Sequence, residues 1–365
     1  MRKLVGMGVS FVAVLVFSTA CSLGASDQSE ELDTPPITYV SEEEADKLKQ
    51  GEEDGAEEAN EGTDKETEPK DDQSEASRNQ RELYLIDANG MVVPQTFILP
   101  KTEATKQQAL EYLVEGGPIQ EMLPNGFRAV LPAGTEVSVE MMTEENIAVA
   151  NFTSEFNDYH VADERALLEA VTWTLTQFDD VDEVKVQVDG YELTAMPQGG
   201  TPIKGNLSRA DGINLEASGV VDMTNSEDVT VYFIGSQGED TYYVPVTRRI
   251  ENTEDVVTAA VNALIEGPEL STNLLSSLSS EVRLLEAPTI NDKEVMLNFN
   301  EAIQAGNDTQ EIRNDVLEAI ALTLTEQEEI EAVTITINGE METTTEEGQV
   351  AATVTRPETL NERPL

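Results

Sequence analysis

The 365-residue chain contains one cysteine, Cys21, and one histidine, His160. A lone cysteine excludes an intrachain disulfide framework and any cysteine-based zinc site. A lone histidine leaves one candidate base for a Ser-His-Asp triad, and no G-x-S-x-G nucleophile elbow accompanies it. His160 therefore reads as a surface histidine in the loop that leads into a helix. Basic residues are also scarce: 22 Lys and Arg stand against 72 Asp and Glu, for a formal net charge of −50. Phosphate binding needs a basic surface, so a nucleic-acid partner is excluded. Such acidity serves solubility. No complete G-x-G-x-x-G or Walker sequence is present, and Asp179-Asp180-Val181-Asp182-Glu183 lacks the EF-hand spacing with its central Gly. No cofactor or metal site is expected, and no catalytic residue is assigned.

What the chain does have is one pattern written twice. Leu168-Glu169-Ala170-Val171 with Thr174-Leu175-Thr176 recurs as Leu317-Glu318-Ala319-Ile320 with Thr323-Leu324-Thr325. Val184-Lys185-Val186-Gln187-Val188-Asp189-Gly190 returns as Val333-Thr334-Ile335-Thr336-Ile337-Asn338-Gly339. Leu113-Val114-Glu115-Gly116 returns as Leu264-Ile265-Glu266-Gly267, and Asn151-Phe152 as Asn298-Phe299. A constant offset of about 150 residues marks two copies of one domain. The repeated positions are mostly apolar pattern and turn residues, whereas a duplicated active site would repeat polar ones. Glu169 and Glu318 are the one acidic pair inside a matching motif. Their apolar neighbours point to a solvated helix edge or a cap on neighbouring backbone, in preference to the acid and base of a wall hydrolase. Trp173 aligns with Leu322 and so reads as a core or helix-interface residue.

The ends of the chain differ in character. Arg2 and Lys3 precede an apolar stretch over residues 4–17, after which Ser18, Thr19 and Ala20 lead to Cys21. The apolar run suits an export signal and is too short for a comfortable span. Residues 1–20 are thus expected to be a lipoprotein signal peptide, with Cys21 as the lipidation site. The arrangement resembles a bacterial lipobox, although Ser18 stands where Leu is usual. Residues 21–80 are rich in acidic and small polar residues and read as a disordered acidic tether. A Gly-, Pro-, Ser- and Asn-rich stretch over 196–227 reads as a linker, and 346–365 as a flexible C-terminal tail. The copies themselves occupy 81–195 and 228–345.

Within copy one, Glu82-Leu83-Tyr84-Leu85-Ile86 and Met91-Val92-Val93-Pro94 predict two strands around a Gly-containing turn. In copy two, Val257, Ala260, Val261, Leu264 and Ile265 form one apolar helical stripe. Both first helices are predicted to stop at Gly followed by Pro, at Gly116-Gly117-Pro118 and Gly267-Pro268. A hairpin over 137–152, matched by Val282-Arg283-Leu284-Leu285 and 294–299, a second helix and a strand at 183–188 or 332–337 complete the unit. Each copy reads ββαββαβ: an α+β fold of two tandem copies, each a small mixed-sheet domain with two helices.

These residues resemble the GerMN domain of bacterial spore germination and sporulation lipoproteins. The likeness lies in the strand-turn-strand opening, the helix ending in Glu-Gly-Pro and the Leu131-Pro132-Ala133-Gly134-Thr135 segment. It extends to the Thr-Leu-Thr helix end followed by a Val-x-Val/Ile strand and Asp/Asn-Gly. Copy two departs by carrying Ser279-Ser280-Glu281-Val282 in place of the Leu-Pro-x-Gly-Thr segment. The resemblance implies a topology similar to the ring-building motifs of secretion systems. It also implies a palmitate-bearing, membrane-tethered scaffold at the extracytoplasmic face of the cell membrane, without enzymatic activity. Its expected partners are extracytoplasmic proteins of the mother cell–forespore channel, with later roles in spore-wall formation or germination. Peptidoglycan binding or remodelling is the alternative.

Overall fold

In copy one, strands β1 (Gln80–Ile86) and β2 (Val92–Ile98) form an antiparallel hairpin. Its turn is set by Asp87, whose Oδ1 accepts the N–H groups of Asn89 and Met91 at 2.8 and 2.9 Å. Helix α1 (Thr105–Glu111) follows, then β3 (Val137–Met142) and β4 (Ile147–Phe152), paired antiparallel. Helix α2 (Glu164–Leu175) carries the chain over to β5 (Glu183–Val188), which runs parallel to β4. A two-residue strand, β6 (Tyr191–Glu192), gives the sheet order β3-β4-β5-β6.

Copy two begins with a longer hairpin, β7 (Ser226–Gln237) and β8 (Asp240–Glu251), then helix α3 (Val256–Glu266). Strands β9 (Thr289–Asn291) and β10 (Glu294–Phe299), the short β11 (Glu311–Ile312), helix α4 (Asn314–Leu324) and β12 (Ala332–Ile337) follow. Two more strands, β13 (Thr344–Thr345) and β14 (Thr353–Thr355), lie beyond β12, and the main sheet has the order β14-β12-β10-β9. This computed structural model describes residues 79–216, 226–253, 255–306, 311–340, 344–345 and 353–362. All of them belong to one compact unit, Thr34–Leu365. The expected signal peptide, Cys21 and nearly all of the expected tether lie outside the described residues.

The repeated motifs turn out to be joints. Thr174 and Thr323 are buried, and each hydroxyl oxygen accepts the backbone N–H of the matching strand tyrosine, Tyr84 at 3.2 Å and Tyr232 at 3.1 Å. Thr176 and Thr325 turn back to the carbonyls of Thr172 and Ala321 and close their helices. The Asn-Phe and Asp/Asn-Gly motifs serve each other: Asn151 Oδ1 accepts Gly190 N–H, and Asn298 Oδ1 accepts Gly339 N–H. Those turns need two left-handed residues in succession, met by Asp189-Gly190 and Asn338-Gly339.

Four expectations about element limits are corrected. Helix α1 stops at Glu111, not at Gly116, because Val114 leaves the helix to bridge Leu131. In copy two the partner of β10 is Thr289–Asn291, and Leu284 makes only an isolated bridge to Phe299. The stretch read as a linker is packed over its described part, with Met196, Ile203, Leu207 and Ile213 buried in the core of copy one. The stretch read as a flexible tail supplies β14, antiparallel to β12, and buries Leu360 in the core of copy two. These last two segments are themselves equivalent. Leu207 bridges Val184 as Val354 pairs with Val333, so the repeat extends past the limits drawn from sequence.

Candidate functional site at the junction of the two copies

The sequence-selected residues do not converge. His160 is exposed ahead of helix α2. Asp180 pairs with Lys106, while Asp182 accepts a hydrogen bond from Asn146. Among the described residues no three His, Cys, Asp or Glu side chains are grouped to hold a metal. Glu169 and Glu318 are buried, not solvated. Glu169 does cap backbone, accepting Asn214 N–H at 3.0 Å, and it also pairs with Arg165 at 2.9 Å. Burial still raises its pKa. Trp173 is a core residue, with Nε1 donating to Gly212 O at 3.2 Å.

What does converge is a junction that sequence reading missed. Strands β2 and β8 lie side by side, and each carries a proline, Pro94 and Pro245, with no N–H to offer a ladder. Two asparagines supply the link. Asn214 Nδ2 donates to Val92 O and Pro245 O at 2.7 and 2.8 Å, and its Oδ1 accepts Val92 N–H at 2.8 Å. Asn361 Nδ2 donates to Tyr243 O and Pro94 O at 2.9 and 2.7 Å, and its Oδ1 accepts Tyr243 N–H at 2.7 Å. Both asparagines have left-handed backbone, with φ of 47° and 55°.

The residue before each asparagine repeats the exchange. Thr247 binds Ile213 through N–H to O at 2.8 Å and Oγ1 to N–H at 2.9 Å. Thr96 binds Leu360 through N–H to O at 3.0 Å and Oγ1 to N–H at 2.8 Å. Each copy thus sends its trailing segment across to the second strand of the other copy. Contacts of this reciprocal kind define an approximate two-fold relation. The signal in sequence was Arg209-x-x-x-Ile213-Asn214 against Arg356-x-x-x-Leu360-Asn361, hidden inside stretches whose composition read as connectors.

The two arginines of that pattern meet over one carboxylate. Arg209 Nη1 lies 2.9 Å and Arg356 Nη1 2.8 Å from the carboxylate oxygens of Glu326, and Tyr232 OH donates to it at 2.8 Å. Arg209 stacks 4.4 Å from the Trp173 ring, and Arg356 lies 5.6 Å from that of Tyr232. Burial opposes ionisation of Glu326, but the two guanidiniums and the tyrosine hydroxyl prevail and hold its pKa down at about 2. Burial pushes the Tyr84 and Tyr232 hydroxyls well above the usual phenol range. The equivalent of Glu326 in copy one is Gln177, whose amide instead clasps the backbone N–H and C=O of Glu82. Around this network opens a cleft of ≈ 560 Å³, lined by both arginines, Arg81, Phe178, Gln177 and the carboxylates of Glu82, Glu326, Glu328 and Glu358.

The repeat fits a known group of proteins. A family model described as sporulation and spore germination, Germane, matches residues 82–194 and 230–343. The chain belongs to the Germane family. It is 44% identical over 365 residues to the spore germination protein GerM of Bacillus subtilis (strain 168), covering 97% of each chain. It also matches the solved tandem GerMN domains of the sporulation protein GerM from Bacillus subtilis. That match has a TM-score of 0.74 and 48% identity, and covers 78% of this chain and 99% of that one. The Germane assignment places the chain in sporulation and germination, and the tandem α+β architecture agrees with that solved structure.

Proposed function

We propose that the chain is a non-enzymatic assembly factor of sporulation, lipidated at Cys21 and tethered by it to the extracytoplasmic face of the cell membrane. Its partners are extracytoplasmic proteins of the channel between mother cell and forespore, with a later part in spore-wall formation or germination. The observation that carries the reading is the reciprocal junction. What the duplication repeats is scaffold joints, Thr174 and Thr323, Asn151 and Asn298, Asn214 and Asn361. The first two pairs hold each copy together, and Asn214 and Asn361 fasten the copies into one body that presents two sets of sheet edges. Among the described residues no helix is long and apolar enough to cross a membrane; support for a tether through Cys21 lies in Ser18-Thr19-Ala20-Cys21 behind a short apolar run.

Crosslinking and affinity capture of a tagged full chain from sporulating cells tests this reading. Recovery of extracytoplasmic channel proteins, together with loss of membrane association in Cys21→Ser, supports it. Turnover of peptidoglycan by the purified protein sinks it. The peptidoglycan-binding alternative rests on the junction cleft, which has carboxylates and Phe178 in its wall. Recovery of glycan strands alone from the same capture shifts the reading to that alternative.

A further inference from the structure

The two copies treat the same sheet edge differently. In copy one that edge is β3, which pairs with β4 and with no other strand among the described residues. Thr153 N–H donates to Glu136 O, while Phe152 O turns the other way and accepts Asp189 N–H beyond β5. This alternation aims the backbone groups of Ser138, Glu140 and Met142 at β4 and those of Val137, Val139 and Met141 outward. Among the described residues nothing bonds to those outward N–H and C=O groups. Helix α1 packs against the strand without a hydrogen bond to it. Solvent still reaches it: Ser138, Glu140 and Met142 are exposed, and Val139 and Met141 are half-buried.

Copy two blunts the equivalent edge. Leu284 faces Phe299 as Val137 faces Phe152. Then three residues, Glu286-Ala287-Pro288, stand opposite Leu297 alone, and only Thr289–Asn291 resume the strand. A bulge and a proline are ordinary means of keeping an edge from recruiting a further strand. Strand β3, Val-Ser-Val-Glu-Met-Met in continuous register, has no bulge, proline or lysine.

We propose that β3 takes up an extended segment of another protein as one more strand of the copy-one sheet, and that this segment alternates apolar with basic residues. Backbone pairing supplies the attachment. The alternation follows from the two faces that the added strand continues. Beside Val137, Val139 and Met141 it meets the side packed on the core, which favours apolar residues. Beside Ser138, Glu140 and Met142 it meets an acidic face. No Lys or Arg lies between Arg128 and Arg165, while Glu136, Glu140, Glu144 and Glu145 are exposed along the strand and its turn. Those charges disfavour a second copy of this chain, which would set β3 carboxylates against β3 carboxylates at a net charge of −50. That the segment belongs to another protein rests on the assembly-factor reading; the chemistry of the edge rests on β3 alone.

Titration of the full chain with a synthetic peptide alternating Lys and Val tests the edge, read by affinity and by hydrogen exchange. In the free chain the Val139 and Met141 amides should exchange freely, and those of Ser138 and Glu140 slowly. Saturating peptide should slow Val139 and Met141 about tenfold or more. Val139→Pro removes one outward N–H and is tolerated where that group faces solvent. It should weaken the peptide about tenfold at an unchanged melting temperature. Absence of binding, or binding without protection at Val139 and Met141, overturns the proposal. Equal affinity for wild type and Val139→Pro, or for a peptide alternating Glu and Val, marks attraction unrelated to the edge and overturns it too. Concentration-dependent protection of the same amides without peptide assigns the edge to a second copy, against the proposal. Exchange in the unaltered chain decides even if the proline variant fails to fold. Capture of channel proteins bears on the assembly role and leaves this titration untouched, so the two readings fail separately.

Discussion

Asn214 and Asn361 make the same three hydrogen bonds to opposite ends of one seam. Asn214 joins Val92 to Pro245, and Asn361 joins Tyr243 to Pro94. Replacing either by Ala strands the carbonyls and N–H of the seam and puts a β-carbon residue with no compensating amide in left-handed backbone. Each single variant should lose about 2–4 kcal/mol, read as a lower urea midpoint at constant m-value. Asn→Asp should not rescue, because a carboxylate cannot donate to the two carbonyls.

Deleting residues 356–365 provides a separate check on the same seam. A flexible tail could be removed without effect. Here the deletion takes away Leu360 from the core of copy two, Asn361 from the seam and Arg356 from Glu326. Calorimetry should show a melting temperature lower by about ten degrees or more, the scale that a few kcal/mol imposes on domains of this size.

Glu326→Gln should be more damaging than its near-isosteric shape suggests. Two half-buried guanidiniums would face a neutral amide, and losing the charged partner of such hydrogen bonds costs about 1–3 kcal/mol. The mirror change, Gln177→Glu, adds a charge against the backbone carbonyl of Glu82 and should also destabilise. Chemical denaturation of both variants measures the asymmetry.

Glu164 ties the expected linker to helix α2. Its carboxylate accepts Gly199 N–H at 2.7 Å, Thr201 N–H at 3.1 Å and Tyr159 OH at 2.8 Å, with the Thr201 hydroxyl as a further donor. A β-carbon at Gly199 would stand 2.6 Å from that carboxylate and would push it away from its donors. Burial works against the anion, but these donors outweigh it and bring the pKa to about 2. The folded value lies below the ordinary one, so the stabilisation is present above about pH 4.5 and fades as pH falls toward 2. Glu164→Gln should flatten that part of the acid denaturation profile.

Thr174→Val and Thr323→Val keep volume and remove one buried acceptor each. The N–H groups of Tyr84 and Tyr232 then lack a partner, at about 1–3 kcal/mol apiece. Because these joints sit in separate cores, the double variant should be close to additive. Thr→Ser at either position should recover most of the loss.

Much of the fold was legible from local pattern. Apolar periodicity located β1, β2, β5, β10, β12 and helices α2, α3 and α4, because core-facing positions repeat with the period of the element that carries them. The duplication was visible for the same reason. Helix α1 ended early because a bridge from Val114 to Leu131 outcompeted the next helical turn, and nothing within the helix records Leu131. Composition misled at 196–227 and 346–365. Asn, Thr, Gly and Pro are common in connectors, and the same residues are suited to joining strands where a ladder lacks donors.

By itself, then, the sequence determined that there are two copies of an α+β unit, strongly acidic, with scaffold positions repeated and reactive ones not. Tertiary structure alone decided how the copies meet, since the partners of Asn214, Asn361, Arg209 and Arg356 lie far away along the chain. It also decided that Glu169 and Glu318, set in matching motifs, have different surroundings. One has a guanidinium and a backbone N–H, and the other has neither. A side chain's identity travels with the sequence, but its solvation and its partners are properties of whatever the fold places opposite it.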